Sequence, residues 1–246
     1  MMARLKFMNT EIDNLTMQET LQAIEKLIKE DKAAYVVTPN VDHIVQLETN
    51  KELQDVYKNA SLILTDGKPL LWIAKWYGTP IKEKISGSDL FPLLCEMAAK
   101  KGYTMFFLGA AEGVAAKAAE NLIRRYEELQ VVGTYSPPYG FENNLEEMNK
   151  IKNMIRKVNP HILVVGLGCP KQEKFMYHHC KELGVPISLG LGASFDFEAG
   201  NIKRAPKWMA NHGLEWLFRI TQDPKRMVKR YLVDDVKIIG LIRKYR

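Results

Sequence analysis

The sequence predicts an α/β fold: a parallel sheet with helices on both faces and a basic helical appendage at the C-terminal end. Three observations carry this. Short apolar runs rich in β-branched residues alternate with amphipathic segments along most of the chain. The stretch NPHILVVGLGCPKQEK, Asn159 to Lys174, passes from a continuous apolar run through a glycine turn into a helix start, as a strand covered on both faces does. Charge then changes abruptly, since residues 1–197 hold 23 Lys+Arg against 24 Asp+Glu (net −1) and residues 198–246 hold 12 against 5 (net +7). The expected organisation is an α/β domain over 1–197 and a basic amphipathic appendage over 198–246.

Each element has a local cause. Thr16 and Glu19 form a capping box, and Leu21, Ile24, Leu27 and Ile28 recur at helical spacing, so a first helix runs to about Asp31. The strand Ala33 to Val37 delivers Thr38, Pro39 and Asn40 at its carboxyl end. VDHIVQL and ELQDVYKNA read as helices, the second with Thr49 and Glu52 as a further capping box. SLIL, Ser61 to Leu64, is a strand ending in Thr65, Asp66 and Gly67. Pro69 to Tyr77 is helical, and Ser86 to Asp89 cap a helix that Gly102 stops. YTMFFLG leads through Gly109 and Gly113 into an alanine-rich helix ending near Tyr126. After the strand QVVGT, SPPYGFENN is a loop, and a helix from Leu145 to Val158 feeds the strand Ile162 to Val165. Pro170 belongs to the first turn of the following helix. A last strand, Pro186 to Gly192, brings ASFDFEAG, read as extended, with Asp196 and Glu198 on one side. Strict β/α alternation implies right-handed crossovers and a Rossmann-like core.

Composition sets the class. With 246 residues, 46% hydrophobic and 26% charged, the chain buries a full core near the upper size of one domain. No apolar run approaches the roughly 18 residues of a spanning helix, and the start lacks a signal region, so a cytoplasmic address is expected. The three cysteines include no C-x-x-C pair, which indicates neither a disulfide framework nor a structural zinc site.

Ligands of open parallel sheets bind beyond the carboxyl ends of the strands. That rule gathers Thr38, Asn40, Asp66, Gly109, Gly166, Gln172 and Asp196 at one edge. Gly166 and Gly168 let the backbone approach a ligand, and the helix start after them favours an anion such as a phosphate. Lys171 stands where a dinucleotide fingerprint has its third glycine. Asp66, at a strand end beside glycine, suits a general base acting on a hydroxyl nucleophile. Asp196 and Glu198 read as structural pairing partners, Cys169 as a small turn residue, and His178, His179 and Cys180 diverge around a helix. No metal site is expected.

The motifs TPNVDHI, LTDG, GSDLF, FFLGA, VGLGCPKQEKF, GLGASFDFEAG, KRAPKWM, GLEWLFRI and DPKRMVKRYL, in this order, resemble the WecG/TagA/CpsF family of bacterial glycosyltransferases. The resemblance covers about Thr38 to Leu232, and is strongest to the branch that transfers N-acetylmannosamine in wall teichoic acid synthesis. It implies an inverting, metal-independent transfer from UDP-N-acetylmannosamine to GlcNAc-diphospho-undecaprenol. The donor sugar nucleotide is then a substrate, and no cofactor is implied. Asp66 would deprotonate the acceptor, and Thr38 and Asn40 would hold the donor. Gly109, the Gly166–Gly168 turn and Gln172 would line the nucleotide-sugar pocket, with Asp196 among the binding residues. Arg219, Arg226 and Arg230 would neutralise the diphosphate leaving group. Lys84 stands where the family pattern has arginine, keeping the charge without bidentate geometry.

The appendage sets Trp208, Trp216, Leu217, Phe218, Tyr231, Leu232, Ile238 and Ile242 among lysines and arginines, a basic amphipathic pattern suited to the anionic inner face of the cell membrane. The alternative is that these residues pack on the main domain or on a sister subunit of a homo-oligomer. A dehydrogenase lacks support, since no acidic residue follows the glycine turn at the required place. Nucleic acid is not expected as a partner, because the aromatics sit among aliphatics and form no stacking platform.

Overall fold

The computed structural model describes residues 4–206, 208–209 and 212–246. Its centre is a six-stranded, all-parallel sheet in the order β4–β3–β8–β7–β5–β6. The strands are β3 (Ala34–Val37), β4 (Leu62–Ile63), β5 (Thr104–Gly109), β6 (Gln130–Tyr135), β7 (Ile162–Gly166) and β8 (Ile187–Gly190). The helices before the appendage are α1 (Met17–Glu30), α2 (Val41–Leu47), α3 (Lys51–Asn59), α4 (Lys68–Trp76), α5 (Gly87–Lys101), α6 (Val114–Arg125), α7 (Leu145–Val158), α8 (Lys171–Leu183) and α9 (Ser194–Glu198). The appendage carries α10 (Glu215–Gln222), α11 (Pro224–Lys229) and α12 (Ile238–Lys244).

Strand alternation divides the interior into two cores. Tyr35, Val37, Phe106, Leu108, Leu163 and Val165 face one side, where α2, α3, α4, α7 and α8 cover them. Ala34, Val36, Met105, Phe107, Ile162 and Val164 face the other, under α1, α5, α6 and α9. Burying each Val, Leu, Ile, Phe or Met among them is worth about 1.5–3 kcal/mol, so the doubly covered sheet is the rigid part of the molecule.

The expected elements form, with four local differences. A two-stranded hairpin, β1 (Leu5–Phe7) and β2 (Thr10–Ile12), precedes α1 and buries Phe7 and Ile12 against the first core. Its three-residue strands are too short to show a period in the sequence. Asn50, not Thr49, caps α3, accepting from Leu53 N at 3.0 Å, while Glu52 turns outward to Lys174 at 2.5 Å and His178 at 2.8 Å. Pro170 precedes α8 as its cap instead of lying in its first turn, and the Cys169–Pro170 peptide is cis. ASFDFE is the helix α9, not extended, so Asp196 and Glu198 diverge. Glu198 pairs with Arg125 on α6 at 2.9 Å.

The appendage packs in part on the main domain. Ile238, Leu241, Ile242 and Tyr245 join the first core, and Tyr77 donates to the Ile242 carbonyl at 2.9 Å. Trp208, Trp216, Leu217, Leu232 and Ile239 stay exposed, as do Trp72 and Trp76 of α4. Among the described residues no helix is long and apolar enough to cross a membrane.

Candidate active site

A cleft of about 1140 Å³ opens where β3, β7 and β8 end. Thr38, Asn40, Asp66, Gly166, Gly168, Gln172 and Asp196 line it, and Arg219 and Arg230 of the appendage close one side. Residues from positions 38 to 230 therefore converge on one space, because all the parallel strands point their carboxyl ends the same way.

Asp66 follows β4, held by its backbone N–H on the Pro39 carbonyl at 2.8 Å. Its carboxylate makes no hydrogen bond or ion pair among the described residues. Burial pushes its pKa up; Arg219 opposes that, Glu215 reinforces it, and the balance lies above the ordinary carboxylate value. A carboxylate left without donors in a desolvated cleft is a stronger base than a free aspartate.

Thr38 is buried and donates to the Gly190 carbonyl at 3.2 Å, joining the ends of β3 and β8. Asn40 caps α2, its side chain 2.9 Å from the His43 ring and 3.4 Å from the His43 N–H. Gln172 has both ends of its amide engaged, donating to Glu173 at 2.8 Å and accepting from Gly192 N at 3.1 Å. It braces the turn after β8 while forming part of the wall.

Gly109 does not line the cleft but sets its floor. At φ +116° its backbone lies so close to β7 that a Cβ would meet the Gly166 carbonyl oxygen at 2.5 Å. Gly109→Ala is expected to destabilise the protein by at least about 1–3 kcal/mol, the usual cost of overpacking, read as a lower urea midpoint with unchanged slope.

The cationic residues are placed unequally. Arg219 lies over the Phe197 ring at 5.3 Å and bonds Glu215 at 2.9 Å. Arg230 is 4.0 Å from Asp235, whose carboxyl burial pushes up to about 6. Lys84 is not among the lining residues; it pairs with Asp89 at 2.8 Å and lies 3.9 Å from Glu215, so its charge acts on Asp66 from behind the wall. The Arg226 side chain lies outside the described residues. Asp196 caps its own loop, its carbonyl accepting from Asn201 and Ile202 N–H groups. Arg204, a few positions further on, bonds Asp89 at 2.8 Å.

A sequence profile of the Glycosyl transferase WecG/TagA/CpsF family matches residues 5–246. The chain belongs to this family. It is 32% identical over 199 residues to the N-acetylglucosaminyldiphosphoundecaprenol N-acetyl-beta-D-mannosaminyltransferase of Bacillus spizizenii, covering 81% of this chain and 75% of the relative. Proteins of the same name from Bacillus subtilis and Staphylococcus aureus are 29% and 26% identical over 214 and 227 residues. Those matches cover 87% and 92% of this chain, and 81% and 87% of the relatives.

In this WecG/TagA/CpsF-family chain the cleft also holds residues that the sequence alone did not place in the site. Asp42 and His43 open α2, and Cys169 ends the glycine turn. His43 lies 3.2 Å from Glu173, which is fully buried. Burial would depress the imidazole, but the neighbouring Cys169 and Glu173 outweigh it and raise its pKa. No histidine lies in the motif around Cys169, so its sequence suits a turn residue; the fold brings His43 to it from 126 positions earlier. The available signal was weak: polar residues at positions where α2 and α8 otherwise bury apolar ones.

Proposed function

We propose that this protein transfers N-acetylmannosamine from UDP-N-acetylmannosamine to the GlcNAc of GlcNAc-diphospho-undecaprenol, with inversion to a β-linked disaccharide-lipid. The observation that carries the reading is the carboxylate of Asp66, unpartnered among the described residues and with its pKa raised by burial, in one cleft with Arg219. Asp66 takes the proton from the acceptor hydroxyl as that oxygen bonds to the anomeric carbon. The bond from that carbon to the diphosphate oxygen breaks on the opposite face, and UDP leaves. Arg219, Arg230 and the first turn of α8 meet the charge that develops on the diphosphate, with Arg226 a further donor on the same appendage. Thr38 and Asn40 hold the sugar and diphosphate against the Gly166–Gly168 turn, Gly109 and Gln172 shape the pocket, and Asp196 bounds it. Lys84 contributes field and not contact.

Incubation with a panel of UDP-sugars and a short-chain lipid diphosphate acceptor tests this. A β-linked disaccharide formed only with UDP-N-acetylmannosamine is the expected product; preference for another UDP-sugar would overturn the donor assignment. Because cationic side chains can neutralise the leaving group, EDTA is expected to leave turnover unchanged. Loss on chelation, restored by Mg²⁺, would sink the metal-independent mechanism.

The appendage is proposed to dock on the anionic inner face of the membrane, where its net charge of +7 and its exposed Trp208, Trp216 and Leu232 serve together. Each Lys or Arg near such a surface contributes about 1 kcal/mol and is screened within a Debye length. Binding to anionic liposomes should therefore weaken as salt rises. Salt-independent binding would mean that charge has no part in docking.

A further inference from the structure

One part of the cleft wall takes no part in the proposed transfer. Asp42 and His43 at the start of α2 and Cys169 before α8 each present a donor atom to the same spot, and the three atoms lie within 4.8 Å of one another. In a four-coordinate site with metal–ligand bonds of about 2.0–2.3 Å, ligand atoms stand roughly 3.3–3.8 Å apart. Closing from the observed spread takes side-chain rotation of Asp42 and Cys169, both partly exposed to the cleft.

Two neighbours set the electrostatics of this spot. The Gln46 amide nitrogen donates to Asp42 Oδ1 at 3.0 Å and contacts Cys169 Sγ at 3.5 Å, so a partially positive group already bridges the carboxylate and the sulfur. Behind His43 stands Glu173, 3.2 Å from Nε2 and fully buried, with its second oxygen, Oε2, unpartnered among the described residues. The other ring nitrogen, Nδ1, lies 2.9 Å from Asn40 Oδ1, so an ion held there displaces that contact. A carboxylate behind a histidine is the arrangement that orients imidazole ligands and raises their basicity.

We propose that Asp42, His43 and Cys169 form a binding site for a thiophilic divalent cation of the zinc class, and that its occupation inhibits transfer. A sulfur, a nitrogen and an oxygen select such an ion over Mg²⁺ or Ca²⁺, which take oxygen ligands. Three protein ligands leave a fourth position open to the cleft, for water or an anionic oxygen. The ion stands beside Asn40 and the start of α8, where the donor diphosphate is placed, and so obstructs the productive pose. Binding stands on geometry alone; inhibition rests on the function proposed above.

The test uses the full chain, stripped with EDTA, freed of chelator and titrated with Co²⁺ as a spectroscopic probe. A thiolate-to-cobalt charge-transfer band is expected, saturating at one ion per chain. It should vanish in Cys169→Ser and need at least ten-fold more Co²⁺ in His43→Gln. No band, or an unchanged band in Cys169→Ser, overturns the site. In the transfer assay Zn²⁺ should slow the wild type reversibly, EDTA restoring it, while Cys169→Ser, compared with its own chelated rate, should need at least ten-fold more Zn²⁺. Binding without inhibition overturns the inhibitory role. Binding by a chain that transfers no sugar at all would uphold the site and overturn the proposed function instead.

Discussion

Asp66→Asn is expected to lower turnover by about 10²–10⁴-fold, the usual contribution of a positioned general base. The amide is isosteric and keeps the backbone bond to Pro39, so affinity for UDP should persist. Stability should not fall. Asp66 has a folded-state pKa above its unfolded value, so its favourable contribution is present below the unfolded pKa and lost as pH rises through the folded one. At neutral pH the ionised carboxylate thus costs stability, and removing the charge holds or raises the melting temperature. The same shift governs rate. The base must be ionised, so kcat/KM should fall as pH drops through a value above that of a free aspartate, and this acid limb should be absent in Asp66→Asn. Wild-type turnover in the variant would place the base elsewhere.

Arg219→Ala is expected to cost about 10²–10³-fold in kcat, as removal of one preorganised donor to a developing oxyanion does. Arg219 has a second effect that separates it from a residue that merely packs. Its charge lowers the pKa of Asp66 against the upward push of burial. Without it the acid limb of the pH profile should move to higher pH, while in Arg219→Lys it should stay near the wild-type position. A lysine restores charge but not the flat guanidinium over Phe197 or the fork that grips a diphosphate, so rescue of turnover should be partial. An alanine variant with full kcat and an unmoved limb would leave the appendage only as an anchor. That outcome is best read with a soluble acceptor, for which docking on a membrane is irrelevant. Truncation is a poorer probe of this point. A cut after Phe197 falls within α9, removes the Glu198–Arg125 pair and uncovers core surface under Ile238, Leu241 and Ile242.

Legibility followed the range of the interactions. The capping box of Thr16 and Glu19, the C-terminal stop at Gly102 and the apolar strand Ile162–Val165 involve neighbours a few positions apart, and each appears as read. The strand-end rule was enough to bring Thr38, Asn40, Asp66 and Asp196 to one cleft. It failed for side-chain geometry. Gln172 and Lys84 carry the right functional groups, but the bond of Gln172 to Gly192 depends on the turn after β8, and the approach of Lys84 to Glu215 depends on the appendage. The ASFDFE segment misled because its alternating Phe, Asp, Phe and Glu mimic a strand, whereas the burial of Phe195 between Phe91 and Phe107 is satisfied by a short helix.

By itself, then, the sequence determined the succession of strands and helices, the edge at which Asp66 and the other strand-end polar residues gather, and the cationic character of the appendage. Periodicity, caps and charge are properties of contiguous residues, and parallel crossovers point every strand end the same way. Tertiary structure alone decided what surrounds each of those groups. The pKa of Asp66 reflects burial and the fields of Arg219 and Glu215, over 140 residues away in the chain. The meeting of Asp42 and His43 with Cys169 depends on β3 lying two strands from β7 in the sheet, with β8 between. Charge and coordination act through distance in space, over a few ångströms, and only the packed sheet sets those distances.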